Sequence, residues 1–337
     1  MKRIAILATI VAGGLAAAGL YAQGLPGIGA TEQVSENVYK IFGAGGNTTF
    51  FIRSDGVVLV DTKLANNGAA ILAKVREVTD KPVTMIINTH SHPDHLGSNT
   101  EIDTARGGVQ VIVQANTAAR MAAMPSNAKV SQSFKDRLTL GSGRDQINLY
   151  WFGPSHTDGD AFIVFPQEKV LLMGDVMAWD MGPLIDPGSG GSMVATPFTV
   201  DGLVKTVTDI DKVVEGHGHV NTWAGLRRYL AYTQKVVEVA KRGIAENLNY
   251  LEAYDKYFAK DPAMAAYTSE AIKEGLEYGG TPKSRTYNNL YVAMAELRGE
   301  PAPFVMGAPP RPGEPLPAPR GPGGPPPPGA RPPGGGR

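Results

Sequence analysis

The chain holds six histidines in 337 residues, and all of them fall in three short segments. The densest is Thr89-His90-Ser91-His92-Pro93-Asp94-His95-Leu96-Gly97. Three imidazoles and a carboxylate packed this closely repel one another if the rings are protonated. If the rings are neutral and buried, each needs a hydrogen-bond partner. A divalent cation resolves the conflict, because neutral imidazole and carboxylate are its ligands. His90 and His92 alternate and can point one way, while Asp94 and His95 turn toward a neighbouring point, a pattern that suggests two metal sites rather than one. Three further candidates follow: His156 in the turn Gly153-Pro154-Ser155-His156-Thr157-Asp158-Gly159, Asp175 after the apolar run Leu171-Leu172-Met173-Gly174, and His217 between Gly216 and Gly218. Taken singly, His156 and His217 read as structural histidines and Asp175 as a turn cap. Each nevertheless sits just past a strand candidate, which is how a rigid scaffold presents ligands along one edge. Asp61 and Asp158 divide between turn chemistry and support of a ligand. His219 reads as solvent-facing or supporting.

Positioning these groups requires strands that end at them. The runs Val38–Ile41, Thr48–Arg53 and Val57–Asp61 are rich in β-formers and broken by Gly and Asp turns, as in an antiparallel meander. Asn67–Thr79 carries Ile71, Leu72, Val75 and Val78 at helical spacing, with Asn67 a candidate N-cap. Val83–Ile87 reads as a buried strand ending at the histidine cluster. Strands at Val109–Val113, Arg137–Leu140, Ile147–Phe152, Ala161–Phe165, Val170–Met173 and Lys212–Val214 follow, with helices at Thr117–Met124 and Asp201–Thr208. Two groups of strands with helices between them predict a layered α/β sandwich with helices outside. From Trp223 to Arg298 the pattern turns mostly helical, and the simplest reading of that stretch is a packing or dimerising extension.

Composition bounds the rest. Hydrophobic residues make up 42% and charged residues 19%, which suits a globular chain. A formal net charge of zero gives no electrostatic reason to expect a nucleic-acid partner. The absence of cysteine excludes disulfides, thiolate metal sites and cysteine nucleophiles. Lys2 and Arg3 precede the uncharged stretch Ile4–Leu20 and a small residue at Ala22, the pattern of a cleaved export signal; an uncleaved anchor is the alternative. Residues 301–337 contain 15 Pro and 9 Gly, a composition that predicts a disordered, partly polyproline-like tail. The expected divisions are thus a signal peptide over 1–22, a sandwich domain over 23–222, a helical extension over 223–300 and the tail.

The motif His90-Ser91-His92-Pro93-Asp94-His95, followed by Ser155-His156-Thr157, Gly174-Asp175 and Gly216-His217-Gly218, resembles the signature of the metallo-β-lactamase superfamily. Val60-Asp61-Thr62 also resembles the family's early strand-end Asp, although the Gly that usually follows is replaced by Lys63. The resemblance implies an αββα sandwich. It also implies two divalent metal ions, zinc being the metal expected: His90, His92 and His156 would hold one, Asp94, His95 and His217 the other, and Asp175 would bridge them. A bridging carboxylate resembles the glyoxalase II, lactonase and phosphodiesterase branches, and departs from the β-lactamase branch that uses a cysteine ligand. On this reading two cations share a hydroxide that attacks an ester, thioester, lactone or β-lactam bond, with Asp94 orienting the nucleophile and moving a proton. Phosphodiester cleavage, another activity of the same fold, and a non-catalytic or redox metal-binding role are the alternatives. The expected partner is a small-molecule substrate, with no stable membrane insertion after signal cleavage. Homo-oligomerisation through the helical extension fits as well, and the expected location is periplasmic or secreted.

Overall fold

A computed structural model describes residues 27–124, 128–271, 280–302 and 309–314. The export-signal candidate and the tail beyond 314 lie outside the described residues. Two compact units are present: one of Met1–Tyr150, Ala161–Gly174 and Asp209–Thr222, the other of Trp151–Asp160, Asp175–Thr208 and Trp223–Arg337. The second unit therefore joins two loops from within the 23–222 stretch to the C-terminal helices.

The first unit contains both sheets. Strands β1 (Thr31–Gln33), β2 (Val38–Ile41), β3 (Thr48–Ile52), β4 (Val57–Val60), β5 (Val83–Ile87), β6 (Gln110–Gln114) and β7 (Gln132–Phe134) form a seven-stranded sheet in chain order. Pairing is antiparallel through β4 and parallel from β4 to β7. The parallel part needs crossovers, supplied by helices α1 (Gly68–Arg76), α2 (Pro93–Leu96), α3 (Asn99–Arg106) and α4 (Ala115–Met121). Strands β8 (Arg137–Leu140), β9 (Ile147–Tyr150), β10 (Phe162–Phe165), β11 (Val170–Leu172), β12 (Lys212–Val214) and β13 (Val220–Asn221) make the second sheet, ordered β13-β12-β11-β10-β9-β8.

Period-two alternation in β3 feeds two separate cores. Phe50 stacks on Tyr39, 5.1 Å between centroids, and joins the apolar cluster with Ile71, Leu72, Val75 and Ile102 from α1 and α3. Its neighbour Phe51 points to the other face and stacks on Phe165 of the second sheet at 4.6 Å. Both faces being covered explains why β4 reads Val-Val-Leu-Val and is buried throughout. Asn67 occupies the N-cap of α1 as expected, yet its side chain donates to the Leu64 carbonyl. The helix's first amide is instead accepted by Glu101 of α3 at 2.9 Å.

The second unit is built around helices α5 (Thr196–Thr206), α6 (Trp223–Ala245), α7 (Tyr250–Tyr257) and α8 (Pro282–Arg298). Its core gathers Tyr232, Val236, Val239 and Ala240 of α6, Tyr250 and Tyr254 of α7, and Leu290, Ala293 and Met294 of α8 around Ile185 and Met193 of the 175–194 segment. The helix at Asp201–Thr208 is longer at its start than expected, because Pro197 at its first turn seats the chain for helix entry. Residues 309–314 are placed against this unit, where Tyr250 Oη donates to the Pro310 carbonyl at 3.0 Å. No helix among the described residues is long and apolar enough to cross a membrane.

Candidate metal centre

β5 ends at Ile87, and its continuation Asn88-Thr89-His90 leads into the histidine turn. His92 is the extended N-cap residue of α2, and Pro93 at its first position has its φ preset for the helix. The entry reverses the chain, so Asp94 and His95 lie on a helical turn while His90 and His92 lie on the extended stretch before it. Ring centroids of His90 stand 4.8 Å from His92 and 4.2 Å from His95.

Beneath the turn, Asp61 fixes the imidazoles. It is 2% exposed, and its carboxylate accepts from the Thr89 amide at 2.8 Å, from the Thr89 hydroxyl at 2.7 Å and from His95 Nδ1 at 2.7 Å. A carboxylate only accepts, so neutral His95 carries its proton on Nδ1 and its lone pair on Nε2. The Thr89 hydroxyl, having donated to Asp61, accepts from His90 Nδ1 at 2.9 Å, so by the same logic the His90 proton sits on Nδ1. One carboxylate thus selects the tautomer of two histidines, the role that supporting partners play around metal ligands. Asp61 reaches this position with φ of +61°, a left-handed conformation that Asp tolerates at modest cost.

His217 arrives on the turn after β12. Its carbonyl neighbours are held from below: Asn47 N donates to Gly216 at 2.7 Å, Asn47 Nδ2 to Glu215 at 2.9 Å, and buried Lys40 to Gly218 at 3.1 Å. The turn delivers His217 Nε2 to within 3.3 Å of His95 Nε2 and 3.2 Å of Asp94 Oδ2, and Asp94 Oδ2 lies 3.6 Å from His95 Nε2. Ligand atoms of Asp94, His95 and His217 all lie within 4.8 Å of one another. With the His95 proton committed to Asp61, His95 Nε2, His217 Nε2 and Asp94 Oδ2 converge on a common point, and two imidazole nitrogens with one carboxylate oxygen suit a divalent cation. Side-chain exposure rises from 0% at His95 to 13% at His217 and 30% at Asp94, so Asp94 forms the solvent-side lip.

Two close approaches hold the triad's floor. A Cβ on Gly46 would stand 2.3 Å from His95 Cε1, so only hydrogen fits beneath that ring. Lys63, the departure from the family pattern, is fully buried with φ of +61° and donates to the carbonyls of Ile41 at 2.8 Å and Gly46 at 2.9 Å. Burial pushes its ammonium down to about 7, against the upward pull of Asp61 and Asp94. The strained lysine therefore ties the loop that carries Gly46.

The remaining two predicted residues lie in the second unit. His156 Nδ1 donates to the Leu184 carbonyl, and its Nε2 lies 3.8 Å from Asp175 Oδ2. Asp160 holds the His156 turn by accepting from the Thr157 amide and hydroxyl at 2.9 Å and 2.6 Å. His219 is exposed. Sequence reasoning missed Asn47, Lys40 and Lys63 as supports. Only Lys63 carried a signal, as a bulky cation where the motif usually has Gly.

A model of the metallo-β-lactamase superfamily matches residues 42–192. Among similar proteins is a metallo-beta-lactamase type 2 from Elizabethkingia meningoseptica, 26% identical over 180 residues, covering 51% of this chain and 68% of the relative. Another is the 2,4-dinitroanisole O-demethylase subunit alpha of a Nocardioides species, 28% identical over 152 residues, covering 44% and 46%. The chain thus spans between about half and two thirds of these relatives' lengths. The solved metallo-beta-lactamase from Pontibacter korlensis shares the fold, with a TM-score of 0.52 and 22% identity over 62% of this chain and 99% of that one. The stretch that matches the superfamily model carries the histidine turn and its supporting Asp61, so over residues 42–192 this chain is similar to the metallo-β-lactamase superfamily.

Proposed function

We propose that this chain is a binuclear metallohydrolase that cleaves acyl bonds in a small-molecule substrate. The convergence of Asp94, His95 and His217, with His95 held in one tautomer by Asp61, is the observation that carries the reading. His90, His92 and His156 would hold a second cation, and Asp175 would bridge, on the motif resemblance. Divalent cations bound there, zinc being the expected metal, would acidify water and polarise the substrate's carbonyl oxygen.

The chain's own groups supply the rest. Asp94, at the solvent-side lip, orients the attacking water with one carboxylate oxygen and accepts its proton, which it can return to the leaving group. Asp61 keeps the His95 proton on Nδ1 and away from the reacting centre. Gly46 and Lys63 fix the floor, so the imidazole planes need not reorganise during the reaction. The candidate signal over 1–22 fits work outside the cytoplasm, which the mass of protein recovered from an exporting host would test. Self-association through the C-terminal helices is a further expectation, read by light scattering.

A second reading has support in the Nocardioides relative, whose name specifies O-demethylation of 2,4-dinitroanisole. The test is elemental analysis followed by a panel of nitrocefin, an N-acyl homoserine lactone, S-lactoylglutathione, bis-p-nitrophenyl phosphate and 2,4-dinitroanisole. Two metals per chain and turnover of an acyl substrate are expected. Turnover confined to the phosphodiester or the aryl ether would overturn the acyl assignment, and a chain that binds no metal would overturn the whole reading.

A further inference from the structure

Two consecutive residues of one loop hold both halves of the Asp94, His95 and His217 triad. The loop over 42–47 joins β2 to β3. On one side it meets the helical turn of Asp94 and His95. A Cβ on Gly45 would stand 2.9 Å from Asp94 Cβ, and one on Gly46 would stand 2.3 Å from His95 Cε1. The Gly46 amide donates to the Asp94 carbonyl at 3.0 Å. On the other side, Asn47 meets the turn of His217. Its backbone amide donates to the Gly216 carbonyl at 2.7 Å. Its side-chain Nδ2 donates to the Glu215 carbonyl at 2.9 Å and to the Gly218 carbonyl at 3.2 Å.

The peptide group between Gly46 and Asn47 is planar, and both of its polar atoms are held. Lys63 Nζ donates to its oxygen at 2.9 Å, and its N–H is the one that reaches Gly216. It is therefore a spacer of fixed length between two turns whose ligand atoms, Asp94 Oδ2 and His217 Nε2, stand 3.2 Å apart.

The Asn47 side chain shows which of its ends the turn requires. It is 5% exposed, and its Oδ1 is buried with no hydrogen-bond partner among the described residues. An amide oxygen buried in that way is unfavourable, and a Ser or Thr at this position would avoid the cost. A hydroxyl has one proton to donate, whereas the amide NH2 has two, one for each of the carbonyls on either side of His217. Lys40, 2% exposed and paired with Glu32 at 2.8 Å, adds a second donor to the Gly218 carbonyl at 3.1 Å.

We propose that Asn47 is a positioning residue for His217: through the Gly46–Asn47 peptide it sets the gap between the two ligand turns before a cation arrives, with Lys40 as the second donor. The inference rests on the reading of His217 as a metal ligand.

The experiment uses the full chain carrying Asn47→Ala, His217→Ala, the two together, and Lys40→Met. Stripped protein is titrated with zinc against a chelator competitor, and metals per chain are counted. Asn47→Ala is expected to weaken one of the two bound metals by ~10–100-fold, the range for loss of a supporting partner, and to leave the other unchanged. Because Asn47 acts through His217, adding Asn47→Ala to His217→Ala should weaken that metal no further. A brace that only stabilises the fold would lower affinity by the same factor in either background. That multiplied loss overturns the proposal, as does equal weakening of both metals or wild-type affinity in a folded Asn47→Ala. If Asn47→Ala does not fold, Lys40→Met decides: weaker binding of one metal supports the brace, and unchanged affinity overturns it. A wild-type chain that binds no metal, or whose affinity His217→Ala leaves intact, instead overturns the ligand reading beneath it.

Discussion

At the scale of single residues, the centre depends on where protons sit. Asp61 commits the Nδ1 protons of His95, directly, and of His90, through Thr89. Replacing it by Asn keeps the shape but offers an amide that can donate, so His95 loses its fixed tautomer. Asp61→Asn is expected to lower metal affinity by ~10–100-fold, measured by chelator competition; equal affinity would contradict the tautomer argument. Lys63 makes a pH-dependent contribution. Its folded-state pKa of about 7 lies below the ordinary 10.5. Between these values the unfolded chain holds a proton that the folded chain has released, so stability rises with pH across that window and is flat below it. In stripped protein, the destabilisation caused by Lys63→Met should grow from pH 6.5 to 9.5, read by urea denaturation at both. A difference that does not change with pH would exclude titration of Lys63. The histidines were legible because six of one rare type in three clusters is visible in the letters. Asn47 and Lys40 were not, because an ordinary cation or amide shows its role only when folding buries it.

Elements position these residues through a few tight contacts. Gly46 lies under the His95 ring with room for hydrogen alone, and its backbone also donates to the Asp94 carbonyl at 3.0 Å. Gly46→Ala should displace the ring and cost about 1–3 kcal/mol, the range for overpacking a filled site. Thermal melts with and without zinc would show it: the stabilisation that metal adds should shrink, whereas an unchanged increment would mean the ring tolerates the methyl. Most long strands were readable from β-branched runs that end at Gly, Asp or Asn. The edge strands β1, β7 and β13 were not, since two or three mostly polar residues carry no alternation to detect. Helix α3 was missed for a related reason: Ile102 is its one buried aliphatic residue, and Glu101 serves α1 rather than its own helix.

Across the whole molecule, the sandwich expected from two strand groups is present as two sheets, and the helical extension forms its own aromatic and aliphatic core. What could not be read was that the His156 turn and the 175–208 stretch group with those helices, because contacts at such sequence separation leave no local pattern. Part of the proline-rich stretch is tied to the helices, since Tyr250 bonds to Pro310. A chain ended after Glu314 should melt with the full-length protein, whereas one ended after Glu300 leaves that hydroxyl without its carbonyl and should lose ~1 kcal/mol. Equal denaturation midpoints for both truncations would show that the Pro310 contact contributes nothing.

The paired phenylalanines of β3 set a limit on how this chain can vary. Phe50 and Phe51 each fill a different interior, so gaining or losing one letter within that strand would exchange the two rings and spoil both interiors together. Drift in length is therefore confined to places such as the exposed Ser54-Asp55 turn. Side chains in the strand can still be traded for others of similar bulk.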